Sequence, residues 1–234
     1  MFLNDYHQIT PEGFAFSRAQ ASRFAKGVAA DFNPIHDEDA KRFCVPGDLL
    51  FAMLLSRIGL RQKMRCTFSG MVGGDISLHL ADQDSHARIL DGAGKEYLDL
   101  AYSGDNNPDL ALIEHLVKGY VRFSGQNFPP ILLPLMKEKA VMVNPARPLV
   151  MYQSMAIDLK TVALGAPEIV FSGANLDVEG KRGTAHLRFD FVENGQVVGS
   201  GEKVMVLSGL VPYDQAEMDK MVAFYYQRKN AYAA

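Results

Sequence analysis

The chain has 234 residues, 48% of them hydrophobic and 22% charged, which is enough to bury one large core or two modest ones. A net charge of -3, a pI near 6.1 and the lack of any basic run interleaved with aromatics remove the electrostatic grounds for binding nucleic acid. Met1 to Asp5 carry no basic and then apolar leader, no run is long enough to span a bilayer, and Cys44 and Cys66 read as core thiols; together these set the expectation of a cytoplasmic protein. The six histidines are dispersed without zinc-like spacing, so no metal is expected.

In chain order, Ser17 can cap a helix whose apolar stripe is Ala21, Phe24, Ala25, Val28 and Phe32. That helix delivers the chain to Asp31-Phe32-Asn33-Pro34-Ile35-His36. Asparagine before proline is driven out of helical geometry, so the segment bends, and a bend can turn Asp31 and His36 toward one point. Pro46 to Gly59 brackets a short helix, apolar all round and therefore buried on every side. Strand material is expected from Met64 to Leu80, and Gly104 to Asp109 is the most turn-rich stretch and the natural division of the chain. Beyond it, Phe128 to Met136 is a second proline-started apolar segment, a candidate buried helix despite Pro134. Four strands follow, at 149–162, 167–178, 183–193 and 196–207, the last two joined by an Asn194-Gly195 hairpin turn. Asp214 and Glu217 then open a final helix that packs on the body or on a partner.

Asp-x-Asn-Pro-Ile-His, the buried helix opened by Val45-Pro46-Gly47-Asp48, and the strands that follow resemble the MaoC-like hot-dog hydratases, which include the (R)-specific enoyl-CoA hydratases. The likeness covers residues 17 to 80, and the whole arrangement resembles a bacterial subgroup with two such units. It implies Asp31 and His36 as the catalytic pair, Asn33 as the residue orienting the loop or the water, and the Gly47 N–H as the donor to the thioester oxygen. It also implies no cofactor beyond the coenzyme A or acyl carrier of the substrate itself. Arg57, Arg61, Lys63 and Arg65 cluster where they could meet coenzyme A phosphates or simply complement a helix C-terminus. Hydratases of this kind usually carry His-Gly where this chain has Pro46-Gly47, and a Met-like residue where it has Asp48. The stretch from His36 to Gly47 is also shorter than usual.

The second half carries echoes of the first. Phe68-Ser69-Gly70 recurs at Phe171-Ser172-Gly173, His86-x-Arg88 at His186-x-Arg188, and Gly94-Lys95 at Gly195-Gln196, with offsets close to 100 residues. The expected fold is therefore an α+β double hot-dog of two antiparallel sheets, each wrapping a buried helix. One unit (1–106) carries the motif, and a second (107–234) lacks it and is silent. The expected activity is hydration of a 2-enoyl thioester or dehydration of a 3-hydroxyacyl thioester. The alternatives are a non-catalytic acyl-thioester or lipid-binding protein and an acyl-CoA thioesterase. Acyl thioesters are the expected partners, with a homodimer possible.

Overall fold

Strand propensity and alternation build a single ten-stranded antiparallel sheet in a computed structural model that describes residues 2–233. Its strands are β1 (Gln8–Thr10), β2 (Gly13–Ala15), β3 (Leu60–Phe68), β4 (Leu78–Gln83), β5 (His86–Asp91) and β6 (Glu96–Asn107) from the first half. The second half supplies β8 (Val150–Leu159), β9 (Glu168–Glu179), β10 (Arg182–Glu193) and β11 (Gln196–Ser208), while β7 (Val141–Met142) and β12 (Val211–Pro212) pair separately. The order β1-β2-β4-β5-β6-β3-β8-β11-β10-β9 has its seam where β3 pairs with β8, from Lys63 opposite Asp158 to Thr67 opposite Ser154. Outward from that seam the halves read alike: β3, β6, β5, β4 on one side and β8, β11, β10, β9 on the other. The expected pair of sheets is thus corrected to one, because β3 and β8 satisfy each other's backbone groups and leave no free edge between the halves.

Two helices pack on each other and against the sheet of the α+β body. Helix α2 (Gly47–Ile58) is opened by Pro46 and stopped by Gly59 at φ 85, a left-handed conformation that favours glycine. Leu49 to Leu55 are all almost fully buried, each large side chain stabilising the fold by roughly 1.5–3 kcal/mol. Its counterpart is not the Phe128–Met136 segment but α3 (Leu110–Gly125), capped by the Asp109 carboxylate, which accepts from the N–H of Ala111 at 2.8 Å. Leu112, Ile113, Leu116, Val117, Tyr120 and Val121 make its apolar stripe, and Tyr120 meets Phe51 of α2 edge to face at 5.3 Å between centroids. The proline-rich segment yields only α4 (Leu132–Glu138).

Strands in the second half fall where alternation places them, and Asn194 and Gly195 both adopt the positive φ that the tight hairpin turn needs. In the first half β3 starts earlier than expected, and residues 69–77 form a loop that turns at Asp75, φ 61. The echoes separate accordingly. His86 and His186 lie on the corresponding strands β5 and β10, whereas Phe68 ends β3 and Phe171 lies within β9, so that match is coincidental. Helix α1 (Arg18–Arg23) carries the Ser17 capping box and continues as a π turn from Phe24 to Val28. Helix α5 (Gln215–Ala233) starts as expected, with Asp214 accepting from the Glu217 N–H at 2.9 Å. Among the described residues, no helix is long and apolar enough to cross a membrane.

Candidate functional site at the junction of the two halves

Wide helical turns, a positive φ and a proline shape the bend. The Asp31 N–H reaches back to the Ala25 carbonyl at 2.8 Å, and Ala30 takes φ 54 to reverse the chain. Asp31 Oδ1 then accepts from the Asn33 N–H at 2.9 Å, and Asn33 Oδ1 accepts from the Ile35 N–H at 3.2 Å, starting a short 3-10 turn over Pro34–His36. Asn33 is exposed and its amide oxygen is spent on that turn, so it orients the loop. Gly125, at the end of α3, lies against this bend: a Cβ there would collide with the Ala29 carbonyl and come within 3.1 Å of Asp31 Cβ. From outside, α5 clasps the same bend. Phe32 sits edge-on to Tyr225 and Tyr232, Arg228 Nε donates to the Phe32 carbonyl at 3.2 Å, and the Arg228 guanidinium and Lys26 pair with Asp37.

The bend brings Asp31 Oδ2 within 3.5 Å of His36 Nε2, with side chains 24% and 12% exposed. His36 Nδ1 lies 2.7 Å from the Cys44 carbonyl, which can only accept, so Nδ1 carries a proton and Nε2 is left to address Asp31. Burial opposes charge on both groups. For Asp31 it is outweighed by the hydrogen bond and charge of His36 and by the Asn33 N–H, which hold the carboxyl below its ordinary 3.8. For His36 it is outweighed by Asp31 and by the Cys44 carbonyl, which raise the imidazole above 6.5. Each group thus favours the charged form of the other, a carboxylate acceptor beside an imidazolium donor.

Asp31 and Asn33 stand at the polar end of a cavity of about 290 Å³. Apart from Phe32 and Pro34, its apolar walls come from the second half: Leu132 and Met136 of α4, Met205 and Leu207 of β11, and Met221 and Phe224 of α5 among them. The polar end also holds Ser124, Asn127 and Lys203, none of which was expected from the sequence. Lys203 is 4% exposed and donates to Ser124 Oγ at 2.5 Å and to the Ser124 carbonyl at 3.1 Å, with its ammonium 4.4 Å from the Tyr152 ring centre. Ser124 Oγ in turn donates to Asp48 Oδ2 at 2.6 Å, and Asn127 Nδ2 holds the Ser124 carbonyl at 2.5 Å. The Tyr120 and Tyr152 hydroxyls bond to one another beside this chain. Burial pushes the Asp48 carboxyl up and the Lys203 ammonium down, and the attraction between the two charges opposes both shifts. Lys203, Ser124 and most of the cavity wall thus come from the second half of the chain.

The remaining expected residues are placed apart. Gly47 opens α2 next to Asp48 and does not line the cavity; a Cβ at Gly47 would come within 2.9 Å of the Phe68 ring and 3.1 Å of the Tyr152 ring. Arg57 lies at the opposite end of α2 from Asp48. Lys63 and Arg65 alternate with buried Met64 and Cys66, so they project from the outer face of the sheet, where Lys63 pairs with Asp158 at 3.6 Å. Arg61 lies over the Tyr102 ring. The structure does not bring these four cations to Asp31. Burial pushes the Cys44 thiol up to about 11 and raises Cys66 as well, in keeping with inert core thiols. Among the described residues, no group of three or more His, Cys, Asp or Glu side chains is placed to hold a metal ion.

Removing one member of a buried charge pair strands the other. Lys203→Met should therefore destabilise the fold by about 3–5 kcal/mol in urea unfolding, and Asp48→Asn with Lys203→Met should recover most of that; no recovery in the double variant would mean that the two charges are not coupled. The Asp31–His36 pair predicts a pH window. Asp31, with a depressed folded pKa, contributes stability above pH 3.8 that is lost as pH falls through the folded value. His36, with a raised one, contributes below pH 6.5 and loses it as pH rises through the folded value. The pair's contribution is complete between those limits, and Asp31→Asn should lower the His36 imidazole in an NMR titration; an unmoved His36 would show that the two do not interact.

Among solved structures, the chain is similar to a conserved hot-dog protein of Alicyclobacillus acidocaldarius, at 8% identity over 91% of this chain and 99% of that one, TM-score 0.44. It is also similar to a MaoC-like dehydratase from Phytophthora capsici, at 13% identity over 86% and 96% of the two chains, TM-score 0.38. A third similarity is to the acyl-CoA thioesterase II TesB2 of Mycobacterium marinum, at 9% identity over 72% and 91%, TM-score 0.42. No curated protein matches the sequence. The family described as Protein of unknown function (DUF3581) matches residues 1–216, and the chain belongs to that family.

Proposed function

We propose that the protein hydrates 2-enoyl thioesters, or in reverse dehydrates 3-hydroxyacyl thioesters, with Asp31 and His36 as the acid–base pair. The observation that carries this reading is the placing of Asp31, 3.5 Å from His36 Nε2, at the polar end of a cavity whose other end is apolar; His36 itself is not among the lining residues. An acyl chain lying along Met136, Met205 and Met221 would present its thioester end to Asp31. On the same reading the chain is a double hot-dog, units 1–106 and 107–234, with the first supplying the acid–base pair and the second the acyl site; the matching strand order on either side of the β3–β8 seam supports it.

In the forward direction, a water between the two side chains donates a hydrogen bond to the Asp31 carboxylate and accepts one from His36. Its oxygen bonds to the β-carbon as its proton passes to Asp31, and the double-bond electrons move toward the thioester oxygen. The α-carbon then takes the Nε2 proton of His36. Passage of a proton from Asp31 to His36 across their 3.5 Å separation restores the starting pair. The Cys44 carbonyl keeps the ring in the orientation that makes Nε2 the reactive nitrogen.

Loss of the conjugated-enoyl absorbance on mixing the protein with short and medium 2-enoyl-CoA thioesters is the expected result. Asp31→Asn, isosteric but without basicity, should lower turnover by about 10²–10⁴-fold while the chain stays folded. Binding without turnover across the series would assign a binding protein instead, and release of free thiol would assign a thioesterase.

A further inference from the structure

Hydration of an enoyl thioester drives negative charge onto the thioester oxygen, so a site that performs it needs an electrophile facing that atom. Lys203 is the one lysine or arginine among the residues lining the cavity, which it shares with Asp31. It stands on β11 and is 4% exposed, and the buried carboxylate of Asp48 lies beyond Ser124 at the far end of a donor chain. Two of its three ammonium hydrogens go to Ser124 Oγ and the Ser124 carbonyl, and the third has no oxygen or nitrogen acceptor among the described residues. Beside it, Asn127 is 3% exposed, lines the same cavity, and its Oδ1 has no hydrogen-bond partner among the described residues. Gly47, by contrast, is absent from the cavity wall and packed against the Phe68 and Tyr152 rings.

Resting on the hydratase reading, we propose that Lys203 is a catalytic residue that donates its free N–H to the thioester carbonyl oxygen and carries the charge that gathers there. No proton leaves Lys203. As water adds at the β-carbon, the double-bond electrons shift to give an enolate whose oxygen the ammonium holds; when the α-carbon takes the His36 proton, the carbonyl re-forms and is released. Asp48 and Ser124 are positioning residues that keep the ammonium charged and aimed. Asn127 Oδ1 is the acceptor left for the 3-hydroxyl group of the hydrated product.

The test uses 2,4-hexadienoyl-CoA, whose absorption band moves to longer wavelength when its carbonyl is polarised. Bound to the full chain carrying Asp31→Asn, which slows turnover enough to observe the bound thioester, the band should shift to the red. The shift should vanish when Lys203→Met is added, and also with Asp48→Asn plus Lys203→Met, the pair that preserves charge balance if the single change does not fold. In the Asp31 background, both Lys203 variants should lose about 10²–10³ in kcat on 2-enoyl-CoA substrates. A red shift that persists without Lys203, or turnover within a few-fold of the parent, would overturn the role of Lys203 while leaving the hydratase reading in place. A parent protein that neither binds nor hydrates these thioesters would end both.

Discussion

The buried chain from Lys203 through Ser124 to Asp48 is the interaction on which the site depends. It links the middle of β11, the end of α3 and the start of α2, three elements drawn from both halves, at the point where the Asp31 bend packs. A lone ammonium or carboxylate at that depth would be strongly unfavourable, so each requires the other, and the serine hydroxyl is the bridge that satisfies both. On the proposed reading, a carboxylate close to the thioester oxygen would repel the developing charge if it stood alone. Bonded to Ser124 and faced by Lys203, Asp48 instead sustains a positive group in an apolar cavity.

The same geometry divides the labour between the halves. The first brings a rigid bend whose two titratable groups have shifted in opposite directions, each stabilising the other's charge. The second brings volume: an apolar slot between α4, β11 and α5 that ends at the bend. Helix α5 closes this slot with Met221, Phe224 and Tyr225, and holds the bend through Arg228 and two tyrosine rings on Phe32.

How much of this was legible depended on whether the signal was local. Asn33-Pro34 dictated the bend, Pro46 and Gly59 bracketed α2, and alternation with Asn194-Gly195 located the strands of the second half, because each is a constraint within a few residues. Helix α3 is harder to read: Glu114, Lys118 and Arg122 dilute its stripe and Phe128–Met136 is more apolar, although Asp109 ahead of Leu112, Leu116 and Tyr120 is a readable cap and period. Pairing of β3 with β8 joins residues about 90 positions apart, and nothing local encodes it. Lys203 left a faint trace, a lysine between Gly201 and Met205 at inward positions of a strand, but only the fold reveals that Asp48 and Ser124 await it.

The most direct measurement is methyl NMR of the methionines during titration with a saturated acyl-CoA, which binds without reacting. An acyl chain in the cavity will shift Met136, Met205 and Met221, which line it, and leave Met64 unmoved beneath the trough on the outer face of the sheet. Shifts at Met64 with none at the three cavity methionines would contradict the placing of the substrate at Asp31 and His36.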